Sequence, residues 1–128
     1  MKKINVVTID GPSASGKGAL TRKIALDLGF NVLDSGALYR LYAYFSNMNL
    51  EEIDIIKKIK NEVTFTPEKR ILNIFHKEKD ITKYLRSEKI AKIASSISSK
   101  KNVRNSLFDL QRSFYNDVGL VADGRDMG

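Results

Sequence analysis

The segment from Ile4 to Ala25, INVVTIDGPSASGKGALTRKIA, restricts the fold more than any other part of the chain. Residues 4–10 are short, β-branched and closed by Asp10-Gly11-Pro12, the pattern of a buried strand. From about Gly16, the spacing of Leu20, Ile24 and Leu28 predicts a helix with these three on one face and Gly29 as its stop. Between strand and helix stands Gly11-x-x-x-x-Gly16-Lys17, the frame of a phosphate-binding loop. Glycines let the backbone wrap an anion with successive amide hydrogens pointing inward, and the helix adds its dipole and unpaired amides. Lys17 supplies a mobile charge for the β- and γ-phosphates of a nucleoside triphosphate. The candidate ATP-binding residues are Gly11, Pro12, Ser13, Ala14, Ser15, Gly16, Lys17, Gly18 and Ala19, with Lys17 also a candidate catalytic group.

The chain continues in the same style. NVLDSG reads as a second short strand, and ALYRLYAYFSNM as a helix with Leu38, Tyr42 and Phe45 inward. Strand–loop–helix–strand–helix order implies a parallel sheet with crossover helices. Near residue 49 the pattern changes. NLEEIDIIKKIKN predicts a charged helix with Leu50, Ile53, Ile56 and Ile59 inward, and the alternation around Pro67-Glu68-Lys69 predicts a hairpin or small antiparallel sheet. Two further helices carry Ile90, Ile93, Ala94, Ile97 and then Val103, Leu107, Leu110, Phe114. GLVAD closes as a third core strand, followed at once by GRDMG. The expected division is a core of residues 1–48 and 100–128 with residues 49–99 inserted in it.

Composition narrows the function classes. With 128 residues and 42% hydrophobic content, one globular core is expected. Cysteine is absent, which removes disulfides and thiolate metal sites and agrees with a cytoplasmic location. The single histidine, His76, reads as an exposed strand residue. No run is long and apolar enough to span a membrane, and no signal peptide is evident. The net charge of +7 raises a nucleic-acid partner, but the lysines scatter among glutamates without an aromatic-interleaved block, so a basic nucleic-acid-binding protein is the weakest of three readings.

A Walker loop ordinarily follows its lysine with a Ser or Thr that helps hold magnesium, and here Gly18 and Ala19 follow. Gly16-Lys17-Gly18 resembles the nucleoside monophosphate kinases, which read Gly-Lys-Gly-Thr, although Ala19 departs from that pattern. Together, IDGPSASGKG, LDSGALYR (Leu33–Arg40), IASSIS (Ile93–Ser98), NVR (Asn102–Arg104) and DGRDMG (Asp123–Gly128) resemble bacterial cytidylate kinase along the whole chain, in order. That resemblance implies a P-loop NTPase-type α/β fold, with about three core strands present and a mixed α+β monophosphate-binding insert at residues 49–99. It implies phosphoryl transfer from ATP to CMP or dCMP with Mg²⁺.

Arg40 and Arg125 stand near the expected carboxyl ends of parallel strands, and two guanidiniums on one anion suit bidentate phosphate recognition. By resemblance, Arg40 and Arg125 grip the CMP phosphate, Ser35, Arg104 and Asp126 read the cytosine, and Ser95 contacts the sugar. Asp123 ends an apolar strand, as a Walker B carboxylate does, and is the candidate magnesium holder through water. Arg125 and Asp123 join Lys17 as candidate catalytic residues. Each has a plainer reading: Arg40 or Arg104 as a solvated helix residue, Ser95 as helix packing, Asp126 as a turn former. Tyr39, Tyr42 and Tyr44 read as packing and amphipathic surface.

The resemblance also implies further strands and an arginine-bearing lid beyond Gly128. The 128 residues are therefore expected to be a fragment with little or no turnover. A nucleotide-binding module without catalysis is the second reading. The family form has no obligate protein partner, whereas the strand at residues 4–10 would lie at an open edge through which a fragment could self-associate.

Overall fold

The computed structural model describes residues 6–10, 17–68, 71–114 and 120–124. Within them the elements run β1 (Val6–Asp10), α1 (Lys17–Leu28), β2 (Asn31–Asp34), α2 (Ser35–Ser46), α3 (Glu52–Glu62), β3 (Val63–Pro67), β4 (Leu72–His76), β5 (Lys79–Asp80), α4 (Thr82–Leu85), α5 (Glu88–Ile97), α6 (Lys101–Phe114) and β6 (Leu120–Gly124). Of the expected first and third core strands, residues 4, 5 and 119 lie outside the described residues, as does Lys69 of the hairpin. The chain divides into two compact units, residues 1–35, 65–73 and 111–128 in one and 36–64 and 74–110 in the other. Nearly all of α2 and the first ten positions of α6, residues 101–110, thus group with the second unit, whereas the sequence suggests a boundary at residues 48 and 100.

In the first unit, β6 lies between β1 and β2 and is parallel to both. Val6 is opposite Leu120 and Ile9 opposite Asp123, while Asn31 is opposite Leu120 and Asp34 opposite Asp123. Strands β1 and β2 run parallel in one sheet, so the chain must cross over between them, and α1 makes that crossover, lying against β6, β2 and β1. The helix stops where the sequence predicts. Gly29 takes φ +67°, and the next N–H, of Phe30, donates to Ala25 O at 2.8 Å.

The buried face of α1 differs from the expected one. Leu20 and Leu28 are half exposed, and Thr21 and Ala25 are buried instead. Small side chains on the inner face bring the helix axis close to a sheet, so volume rather than hydropathy selects the stripe.

The second unit is built around α2, which buries Ala37, Leu38, Leu41, Tyr42, Ala43, Tyr44 and Phe45. A helix apolar over most of its circumference belongs in the middle of its unit. The predicted stripe of Leu38, Tyr42 and Phe45 is buried, and so are its neighbours. Asn49 closes the turn that follows with φ 59°, a conformation its short polar side chain tolerates. In α3, acidic Glu52 and Asp54 occupy the first turn and Lys60 the last, which suits the helix dipole. Its inner residues are Ile55 and Ile59, while Ile53, expected inside, is 62% exposed. Four isoleucines within seven positions allow two helical phases, and sequence alone does not choose between them.

The last two helices bury most of their predicted faces; Ile93 is half-buried, and the Phe114 side chain lies outside what is described. Helix α5 buries Ile90, Ala94 and Ile97, with its start capped by Ser87 Oγ, which accepts from the Ile90 N–H at 3.3 Å. Helix α6 buries Val103, Leu107 and Leu110.

The second sheet has the order β3-β4-β5. Strands β4 and β5 pair antiparallel, with Phe75 opposite Asp80 and His76 opposite Lys79. Lys77 in the intervening turn has φ 56°, unusual for a residue with a long side chain. Its N–H donates to Glu62 O at 2.8 Å, which ties the turn to the end of α3. The short helix α4 is anchored by buried Thr82. Its Oγ1 accepts from the Ile74 N–H at 2.8 Å and donates to Asp80 Oδ1 at 2.6 Å, and Asp80 Oδ1 also accepts the Thr82 N–H.

His76 departs from its expected place on the surface. Its side chain is 17% exposed, with Nε2 2.9 Å from Glu62 Oε1. The ring meets Phe45 and Tyr44 edge-to-face, at centroid distances of 4.9 and 6.1 Å.

Candidate nucleotide site

In the first unit the three parallel strands end at one level, since Asp10 is opposite Gly124 and Asp34 opposite Asp123. Open α/β sheets bind ligands outside the carboxyl ends of their strands. There β1 ends at Asp10 and α1 begins at Lys17, and the intervening Gly11–Gly16 lie outside the described residues. Lys17, Gly18 and Ala19 form the first turn of α1, with Ala19 exposed. Ser35 is half-buried and opens α2 immediately after β2.

One residue of this level went unassigned in the sequence. Asp34 shares its register position with Asp123 across the β2–β6 pair. The only sequence signal for it is its place after the apolar pair Val32-Leu33, the same cue that singles out Asp123.

The second unit holds Arg40, Ser95 and Arg104. Arg40 sits in α2 between buried Leu38 and Leu41, and its Nε is buried with no hydrogen-bond partner among the described residues. A buried guanidinium N–H without an acceptor carries the full cost of its desolvation and calls for an anion. Ser95 is exposed on α5, where its carbonyl accepts from Ser98 Oγ at 2.8 Å.

Arg104 is exposed on α6, and no ion pair among the described residues includes it. Its charge acts on the Tyr39 phenol of α2. Burial pushes the Tyr39 phenol above its ordinary range, and the Arg104 charge pulls it part of the way back. One turn further along α2, burial also raises Tyr42, assisted by the charge of Glu52. Glu52 Oε1 in turn accepts from Ser106 Oγ on α6 at 2.7 Å. The Ser106–Glu52 hydrogen bond thus ties α6 to α3 two residues from Arg104, an arrangement that residues so distant in sequence do not announce.

The structure thus brings Lys17, Asp123 and Ser35 into the first unit, and Arg40, Ser95 and Arg104 into the second. Arg125 and Asp126 lie outside the described residues.

Comparison with known proteins accounts for these motifs. The cytidylate kinase family model matches residues 7–128. Cytidylate kinase of Cupriavidus necator is 44% identical over an alignment covering 100% of this chain and 58% of that protein. The Saccharophagus degradans cytidylate kinase is also 44% identical, over 96% of this chain and 57% of its own length. That of Thermodesulfovibrio yellowstonii is 41% identical, over 99% and 59%. The chain spans about 58% of the length of the curated relatives it matches. With the family model matching from within the first strand to Gly128, the chain belongs to the cytidylate kinase family.

Proposed function

We propose that this chain carries the ATP- and CMP-binding residues of a kinase that transfers the γ-phosphoryl group of ATP to CMP or dCMP, giving ADP and CDP or dCDP. The observation that carries the reading is the buried, unpartnered Arg40 Nε, on the helix that opens directly after β2. A phosphate oxygen of the acceptor nucleotide is the anion that satisfies it. Family membership and the parallel order β1-β6-β2 support a P-loop NTPase-type core, with Gly11–Ala19 around the ATP phosphates and Lys17 as their mobile charge. Residues 49–99 are assigned to the monophosphate-binding insert, and residues 1–48 and 100–128 to the core.

In this reading Arg40 and Arg125 grip the CMP phosphate, Ser35, Arg104 and Asp126 read the cytosine, and Ser95 meets the sugar. Catalysis is positioning and charge neutralisation. The acceptor phosphate oxygen is itself the nucleophile, held in line with the γ-phosphorus, and no covalent protein intermediate forms. No group of three or more acidic, histidine or cysteine side chains suited to a metal occurs among the described residues. Asp123, register partner of Asp34, offers the hard oxygen chemistry that Mg²⁺ takes in small number beside water and nucleotide phosphates. Asp123 would hold the ion through water, and the ion would neutralise charge on the β- and γ-phosphates. No helix among the described residues is long and apolar enough to cross a membrane, and we assign the protein to the cytoplasm.

A second reading, nucleotide binding without turnover, draws support from exposed Ala19 standing where the family hydroxyl is expected. Calorimetry with CMP, AMP and ATP, beside a coupled ADP-release assay, separates the two. Turnover with CMP supports the kinase, binding alone supports the module, and salt-sensitive RNA binding without mononucleotide binding overturns both.

A further inference from the structure

We infer that a surface beside the β4–β5 turn, built from Lys58, Lys77, Lys79 and Tyr84, binds single-stranded nucleic acid, apart from the candidate nucleotide site. The inference goes beyond the kinase reading and does not depend on it.

Along the sequence the lysines lie scattered, with no aromatic block among them, but the fold gathers these residues around His76 within the second unit. Glu62 Oε1 is 2.9 Å from His76 Nε2 and 3.7 Å from Lys77 Nζ, and Glu62 Oε2 is 3.3 Å from Lys58 Nζ. One carboxylate thus faces two ammonium groups, which leaves positive charge for a further anion. Lys77 makes its contact with 70% of the side chain still exposed. Lys79 is opposite His76 in the antiparallel pair, which sets their Cβ atoms about 5 Å apart on one face of the sheet. It is exposed, and no ion pair among the described residues includes it. Of the two acids of this hairpin, Asp80 is engaged by the Thr82 hydroxyl and N–H, and exposed Glu78 is outnumbered.

The aromatic half of the surface adjoins the basic half through printed neighbours of one buried ring. Tyr44, 8% exposed, meets the His76 ring at a centroid distance of 6.1 Å and the Tyr84 ring at 5.6 Å, both edge-to-face. Tyr84 is itself 44% exposed, so a buried ring braces an open one next to the lysines. An open tyrosine ring offers a platform for an unpaired base, and neighbouring ammonium groups suit successive phosphates. Bases inside a duplex have no free face for Tyr84, and acidic side chains have no ring to place on it. A single strand uses both halves of the surface.

The test is fluorescence anisotropy of labelled oligouridylate and oligothymidylate with the full chain at rising KCl. Binding is expected at low salt, with log affinity falling against log salt at a slope of about −2, the value for three lysines on a single strand. Lys77→Gln with Lys79→Gln should flatten the slope to about −0.7, whereas Lys89→Gln with Lys92→Gln on α5 should leave it unchanged. Tyr84→Ala should weaken binding about ten-fold, and Tyr84→Phe, which keeps the ring, should bind as the parent does. Preference for either oligonucleotide supports the inference and names the sugar. No binding at low salt overturns it, as do equal effects of the two lysine pairs, which would show net charge alone at work. Equal displacement by oligoglutamate would reveal a site for acidic peptides instead. Displacement by saturating CMP or ATP would place the oligonucleotide in the nucleotide site, and the separate surface would fail. The lysine variants change exposed residues, so the outcome does not depend on Tyr84→Ala folding. Calorimetry with CMP and ATP should be unaltered in every variant, so failure here leaves the kinase reading standing.

Discussion

His76 Nε2 lies 2.9 Å from Glu62 Oε1, joining the last residue of β4 to the last residue of α3. The same carboxylate is 3.3 Å from Lys58 Nζ and 3.7 Å from Lys77 Nζ, while its backbone carbonyl receives the Lys77 N–H. Glu62 is the point at which a helix end, a strand end and a turn are held together.

Stability should fall in acid through this carboxylate. The His76 hydrogen bond, with smaller help from Lys58 and Lys77, holds Glu62 below the ordinary carboxylate range against partial desolvation. The Thr82 hydroxyl and N–H lower Asp80 in the same way. A lowered folded pKa means the unfolded chain binds more protons in that window. The stabilisation is therefore complete above the ordinary carboxyl pKa and is lost as pH falls through the lowered values. Urea midpoints measured from about pH 6 to about pH 3 should drop less steeply in a Glu62→Gln, Asp80→Asn double variant than in the parent. Parallel curves would contradict the assignment.

Thr82→Val should destabilise by about 1–3 kcal/mol, because a nearly isosteric methyl leaves the Ile74 N–H buried without its 2.8 Å acceptor. Thr82→Ser keeps the acceptor and should recover most of the loss. Equilibrium urea unfolding of the two variants makes the comparison.

Gly29 offers a separation of strain from crowding. A Cβ added there meets no heavy atom within 4 Å, yet the backbone stands at φ +67°. Gly29→Ala should cost about 1–2 kcal/mol from conformation alone, and Gly29→Asn less. Equal thermal midpoints for glycine and alanine would show that the turn relaxes.

Arg40→Lys keeps the positive charge and loses the planar fork of donors. CMP binding should weaken by about 1.5–3 kcal/mol, with ATP binding unaffected. Equal loss of both nucleotides in calorimetry would detach Arg40 from the acceptor site.

How far the sequence carries the fold depends on what each element packs against. Helices α5 and α6 declare their buried faces because their apolar residues follow a single phase, Ile90-Ala94-Ile97 and Val103-Leu107-Leu110. Helix α1 misleads because the sheet selects Thr21 and Ala25 for their small size and leaves Leu20 and Leu28 half exposed. Four closely spaced isoleucines make α3 ambiguous in phase. His76 could not be placed, since its partner Glu62 is local in space and distant in sequence. Membership of the family was legible because its motifs keep a fixed spacing along the chain. The pairing of Asp34 with Asp123 arises only from the fold.

The central position of β6 also governs the order in which the molecule can assemble. Val6 finds Leu120 almost a whole chain length away, and β1 and β2, although near in sequence, are joined only through that late strand. Contacts of such long range form slowly. On the ribosome the helices of the second unit emerge and can consolidate while β1 and β2 still wait, their backbone groups unpaired, for residues 120–124. The interval before β6 appears is when the edges of β1 and β2 stand open to wrong pairing.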